Sequence, residues 1–201
     1  MKKYTLFILL TFFYGQFAHS ADINGYVGGN LGAATIDTGV SGTTATATLD
    51  EDDMGWKIYG GVNFNDFLAV EVQYADFGEA TLGGNVNDTF VFEGTTFQFL
   101  TTAELILDGD SIGFAAVAGY DLSEYVRPYI RLGGHQWDSS FSVAAGGLSA
   151  TIADDEGFDI FYGIGIKVKI SEQFSAVAEY ENYTFDEENV DLITAGIQFT
   201  F

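Results

Sequence analysis

The chain has 201 residues, room for one domain or for a β-barrel that runs as a single unit. Seven Lys and Arg face 29 Asp and Glu, a formal charge of −22 that argues strongly against nucleic-acid phosphate as a partner. Hydrophobic residues at 47% rule out an unfolded acidic chain, and the absence of cysteine rules out thiol catalysis, thiolate metal sites and disulfides.

The first element in chain order is a targeting segment. Met1, Lys2 and Lys3 form a short basic start, Tyr4–Tyr14 is an apolar core, and Ala18-His19-Ser20 is a small-x-small pattern before Ala21. This predicts a secretory signal over residues 1–20, cleaved near Ser20-Ala21 after Sec-type export, with the domain proper over 21–201. A membrane anchor would need about 20 apolar residues, more than this stretch supplies. Cleavage removes Lys2 and Lys3 and leaves five basic residues: Lys57, Arg127, Arg131, Lys167 and Lys169.

From there the recurrent signal is two-residue alternation. Trp56, Ile58, Gly60, Val62 and Phe64 share a parity, as do Leu68, Val70, Val72 and Tyr74. Phe158, Ile160, Tyr162, Ile164, Ile166, Val168 and Ile170 form the clearest row, and Ile193, Ala195, Ile197, Phe199 and Phe201 the last. Such alternation predicts β-strands with one apolar and one polar face. Eight are expected, near residues 22–36, 54–64, 67–77, 109–120, 126–137, 157–170, 174–185 and 190–201. Tight turns at Asn65-Asp66, Asp121–Glu124 and Ser171–Gln173 alternate with long loops over Asp37–Asp53, Gly78–Asp108 and Asp138–Glu156. Within the second long loop, Thr95–Leu107 is expected to extend the neighbouring strands as a hairpin above the membrane.

An even strand count with every short turn on one side predicts an all-β fold, an eight-stranded antiparallel up-and-down transmembrane barrel with periplasmic turns and extracellular loops. All five basic residues lie on the face opposite the apolar row, as do Glu71, Asp159, Glu179 and Glu181. That parity suits a soluble sandwich as well. Aromatic placement favours the barrel: Phe64, Tyr120, Phe174, Phe199 and Phe201 lie near the short turns, and Trp56, Tyr74, Phe158 and Tyr180 near the long loops. The sandwich remains the alternative.

The stretch "GWKIYGGVNFNDFLAVEVQYADFG" resembles the second and third strands of the OmpA-like outer-membrane barrel family. "RPYIRLGGHQW", "YGIGIKVKISEQFSAVAEYENYTF" and "LITAGIQFTF" resemble its later strands. The resemblance implies a closed barrel in the outer membrane of a Gram-negative bacterium, with both ends in the periplasm. Because the sequence stops at the barrel, no periplasmic peptidoglycan-binding domain is expected. The resemblance also implies lumenal acids in the third and seventh strands, here Glu71 and Glu179. The family's basic partner in the final strand has no counterpart, and Arg131, Lys57 and Lys167 are the expected substitutes. The expectation is a structural ion-pair network of Lys57, Glu71, Arg131 and Glu179. Phe201 resembles the C-terminal signal read by the barrel-assembly machinery.

Other chemistry is thinner. His135 is the one histidine of the mature chain, and a lipid deacylase would need a serine two residues on, where Trp137 stands. The acidic runs Asp50–Asp53, Asp154–Glu156 and Asp186–Glu188 read as solvated loop, with divalent cations bridging to lipopolysaccharide as the sharper alternative. "DGDSIG" has Ile112 at a calcium-ligand position and is not an EF-hand. No catalytic residue, metal or cofactor is expected. The expected partners are outer-membrane lipid, lipopolysaccharide and the assembly machinery. The favoured function is non-enzymatic, serving envelope integrity and surface interaction through acidic loops. A narrow low-conductance porin is second, and a lipid-modifying enzyme using His135 third.

Overall fold

The computed structural model describes residues 24–186 and 188–201, so the expected signal segment lies outside the described residues. Eight strands form the barrel: β1 (Asn24–Ile36), β4 (Asp52–Asn63), β5 (Leu68–Gly84), β8 (Ala103–Gly119), β9 (Val126–Ala145), β10 (Leu148–Lys169), β11 (Phe174–Phe185) and β12 (Glu188–Thr200). Each pairs antiparallel with its neighbours, β12 returns to β1, and the β5–β8 pairing completes the ring. Closure satisfies every strand edge within the membrane, which a lipid environment demands because it offers no water to unpaired backbone groups.

The tight turns form where the sequence supplies short polar side chains that bond their own backbone. Asn65 Oδ1 accepts from the N–H groups of Phe67 and Leu68, both at 2.8 Å. Ser123 Oγ accepts from Tyr125 and Val126, and Ser171 Oγ from Phe174. At the seam, the Phe201 N–H donates to Gly25 O at 2.9 Å, and its ring lies over Gly25, where an added Cβ would stand 2.6 Å from the ring.

The apolar rows face outward. Leu132 is 62% exposed to the surroundings and Ile193 61%, whereas Lys57 and His135 are fully buried. This inverts the water-soluble pattern and removes the sandwich alternative, since a sandwich would bury the apolar rows. The outward aromatics form two belts, with Trp56 against Tyr74 at one end and Phe174 against Phe199 at the other.

The long loops differ from expectation. Much of the predicted loop over 78–108 and 138–156 is strand: β5 runs on to Gly84, β8 begins at Ala103, β9 continues to Ala145 and β10 begins at Leu148. These extensions stand above the barrel as a sheet, with β3 (Thr48–Asp50) on the flank of β5. Thr95–Leu107 is divided: Thr95–Gln98 is β7, paired with β6 (Thr89–Phe92), and Ala103 onward belongs to β8. With β2 (Val40–Thr43), β6 and β7 make a separate three-stranded cap. The "DGDSIG" segment is also strand, within β8.

Candidate functional site in the barrel lumen

Strand parity brings Lys57, Glu71, Arg131 and Glu179 together inside the barrel, and adds Glu181. Arg131 reaches Glu71 at 2.5 Å, Glu181 at 2.6 Å and Glu179 at 2.9 Å. Lys57 pairs with Glu181 at 2.5 Å and contacts Glu179. Glu181 lies two residues beyond Glu179 on the same strand face, so its parity was already readable as lumenal. Its membership depends on Lys57 and Arg131 reaching it from β4 and β9, which parity does not report.

Neutral donors saturate the remaining carboxylate oxygens. Tyr26 donates to Glu71 at 2.7 Å, Asn30 to Glu179 at 2.6 Å, and the Tyr129 hydroxyl also donates to Glu179. Arg131 lies over the rings of Tyr59 and Tyr129. Inward glycines create the space: a Cβ on Gly163 would stand 2.7 Å from Glu181 Cγ, and one on Gly61 2.8 Å from Glu71 Cγ. Lys167 stays outside the ion cluster, over the Tyr26 ring and 3.4 Å from Gln198 Oε1. Arg127 and Lys169 pair with Asp121 and Glu172 toward the periplasmic turns.

Above the ions the lumen turns aromatic. Phe161 and Tyr183 stack at 4.9 Å, and Phe77 and Phe185 pack edge-on around them. His135 sits in this box, in edge contact with Phe161, Tyr183 and Phe185, with Nε2 2.9 Å from Thr184 O. It is fully buried. Two cations face three carboxylates beneath the aromatic box, and their chemistry is internal pairing. A buried cluster of this kind gains Coulomb energy against a large desolvation cost, and here every carboxylate oxygen is bonded while Arg131 Nε has no hydrogen-bond partner.

The extracellular acids are arranged quite differently. Asp76, Asp110, Asp138 and Glu156 are direct cross-strand partners on four consecutive strands, above the outer aromatic belt. Burial and the carboxylates of Asp138, Asp76 and Asp108 push the Asp110 carboxyl up from its ordinary range. The Asp50–Asp53 run is more than solvated loop. Glu51 accepts from the Thr38 N–H and hydroxyl, and Asp53 accepts the Glu79 N–H at 2.9 Å. That last bond pins a register shift in β5, where Gly78 adopts φ +70°. In the cap, Asp88 collects the Thr46 and Thr44 hydroxyls and the Asn85 N–H.

Comparisons with known proteins agree with this architecture. Residues 5–201 match the family model described as "Outer membrane protein beta-barrel domain". The chain is 28% identical over 162 residues to outer membrane protein A of Klebsiella pneumoniae, covering 78% of this chain and 42% of that relative. It therefore spans less than half of that protein's length. Ail of Yersinia pestis has the same fold at 18% identity, with a TM-score of 0.53 over 89% of this chain and 98% of Ail. The N-terminal barrel of Pseudomonas aeruginosa OprF is similar at 12% identity, with a TM-score of 0.52 over 89% and 97%. Lipid-facing rows, a paired lumen and a family match along nearly the whole sequence lead to one assignment: the chain belongs to the outer membrane protein β-barrel domain family.

Proposed function

We propose that this outer-membrane barrel is a non-enzymatic envelope protein whose lumen serves as a stabilising plug and whose acidic extracellular sheet meets partners outside the cell. One observation carries the reading: Lys57, Arg131, Glu71, Glu179 and Glu181 are paired with each other in the lumen, whereas Asp76, Asp110, Asp138 and Glu156 run side by side across four strands with no Lys or Arg paired to them among the described residues. Every Lys and Arg of the described residues lies in the lumen or toward the periplasmic turns, so countercharge for the outer face must come from outside the chain. Lipid, lipopolysaccharide and the divalent cations that accompany it are the immediate surroundings of this face.

The filled lumen argues against the porin reading. The full burial of His135, with Nε2 held at Thr184 O, argues against the lipid-enzyme reading. The test of the surface reading uses polylysine and proteoliposomes of neutral phosphocholine lipid. Salt-sensitive retention by protein-bearing vesicles above that of bare vesicles is expected, and equal retention would contradict the proposal. The role of Phe201 as an assembly signal belongs to the same proposal. Phe201→Ser is expected to reduce insertion into the outer membrane severalfold more than Thr200→Ser, and equal membrane yields would refute it.

A further inference from the structure

β10 is the longest strand, and its two edges end at different heights. Toward β9 it is paired from Leu148 to Val168. Toward β11 it is paired only from Phe161 to Lys169. The cause lies in β11. Above Tyr183 the β11–β12 hairpin bends over the mouth, where Phe185 packs against Phe77, His135 and Trp137, and the Asp186 N–H donates to Asp159 Oδ2. β11 ends at Phe185, whose ring packs in the lumen, and no residue of β11 beyond Tyr183 continues the ladder to β10.

Leu148–Glu156 therefore presents an outer edge with no strand partner among the described residues, and all nine residues are exposed. Nine extended residues span about 30 Å. Such an edge is a template for another chain, and proteins normally blunt it with charge or a bulge. Both devices occur here. The register shifts between Thr151 and Ala153, and Asp154, Asp155 and Glu156 follow. The Glu156 N–H is met by Asp155 Oδ1 at 2.9 Å, so the lower end of the edge is partly self-satisfied. Leu148–Asp154 is the open part.

From this we infer that the Leu148–Asp154 edge of β10 captures an extended, basic polypeptide segment by strand addition. The inference rests on the surface reading above and gives it a place and a partner. Backbone hydrogen bonds supply the affinity in this mode of binding, and side chains at alternate positions supply the selectivity. Here the selectivity is electrostatic. Asp154, Asp155 and Glu156 lie on the capturing strand, and Asp138 and Asp110 continue the negative row across β9 and β8. A second copy of this chain, itself at −22, is disfavoured as occupant by the same charges that attract a cationic strand.

The test uses the full barrel in phosphocholine micelles and a decapeptide alternating Lys with Val or Thr, carbon-13 labelled at its carbonyls. Hydrogen exchange of the protein and isotope-edited infrared spectra of the peptide are the readouts. Binding is expected to slow exchange of the amides over 148–154 severalfold and to move the labelled carbonyls to β-sheet frequencies. A peptide of equal charge with proline at alternate positions, and one with Glu for Lys, are expected not to bind. The combined Asp154→Asn, Asp155→Asn and Glu156→Gln variant is expected to bind roughly tenfold more weakly, with barrel exchange unchanged. If the basic peptide binds but leaves 148–154 unprotected, or if the proline peptide binds equally well, strand addition is overturned and the general acidic-surface reading stands. If no basic peptide binds, both fall.

Discussion

The lumen and the extracellular sheet both set carboxylates side by side on neighbouring strands, and they handle them in opposite ways. In the lumen, Glu71, Glu179 and Glu181 share Arg131 and Lys57, and hydroxyl and amide donors complete the shell. On the sheet, Asp76, Asp110, Asp138 and Glu156 are direct cross-strand neighbours of one another, with no Lys or Arg paired to them among the described residues. The difference follows from water. A fully buried charge without a partner bears the full desolvation cost, so Glu71, Glu179 and Glu181 are each held by a cation. At the rim Asp138 and Glu156 are exposed and Asp76 and Asp110 only half-buried, and repulsion between such neighbours costs about 0.2–1 kcal/mol per pair. Repulsion of that size can be retained for use by a cationic partner.

The comparison is broken most severely at Arg131. Arg131→Met leaves Glu71 without its cation and Glu179 and Glu181 to Lys57 alone, and is expected to destabilise the barrel by about 3–5 kcal/mol. The measurement is the urea midpoint for loss of the compact gel mobility. Adding Glu71→Gln and Glu181→Gln to Arg131→Met is expected to recover part of that loss, because it removes stranded charge. An unchanged midpoint for the single variant would mean that the cluster contributes nothing.

At the sheet the expected sign is opposite. Asp110→Asn removes one repulsive neighbour from the row and is expected to stabilise the extension by about 0.5 kcal/mol. Slower amide exchange over 103–108 would report it. Because the folded Asp110 carboxyl titrates above its ordinary range, the folded state binds the proton more tightly there. The sheet therefore gains stability as pH falls through that range and loses it as pH rises. Asp110→Asn should flatten this dependence, and an unaltered profile would assign the repulsion elsewhere.

Asp88 gives the smallest and most local contrast. The Thr46 hydroxyl, the Asn85 N–H and the Thr44 hydroxyl hold its carboxyl below the ordinary range. Its tether between Thr44–Thr46 and the cap is present above that range and lost as pH falls through the lowered value. Acidification is thus expected to loosen Thr44–Ala47 while it steadies the sheet. Exchange of the amides over 44–47 and 103–108, followed in one titration, checks the two opposite trends.

How much was legible in the sequence tracks the same boundary. Within the membrane, lipid on one side and packed lumen on the other enforce strict alternation, and Phe158 to Ile170 declare β10 without ambiguity. Above the membrane both faces of the sheet meet water, the alternation fades, and "ATIADDEG" reads as loop although it is strand. Reading the lumenal face as polar also concealed the aromatic lid, since Phe77 and Tyr183 follow lumenal parity as apolar plug. Four members of the ion cluster were legible from parity and family resemblance together. Glu181 required the reach of Lys57 and Arg131 across the lumen, and sequence spacing carries no such distance.

The central claim is that the lumen is a plug and the working surface lies outside. Planar-bilayer recordings of the native barrel and of Glu71→Gln test it most directly. No resolvable channel is expected in either, because the packed rings of Phe77, Phe161, Tyr183 and Phe185 stand in the lumen apart from the Arg131–Glu71 pair. A steady, reproducible conductance in the native protein would contradict it.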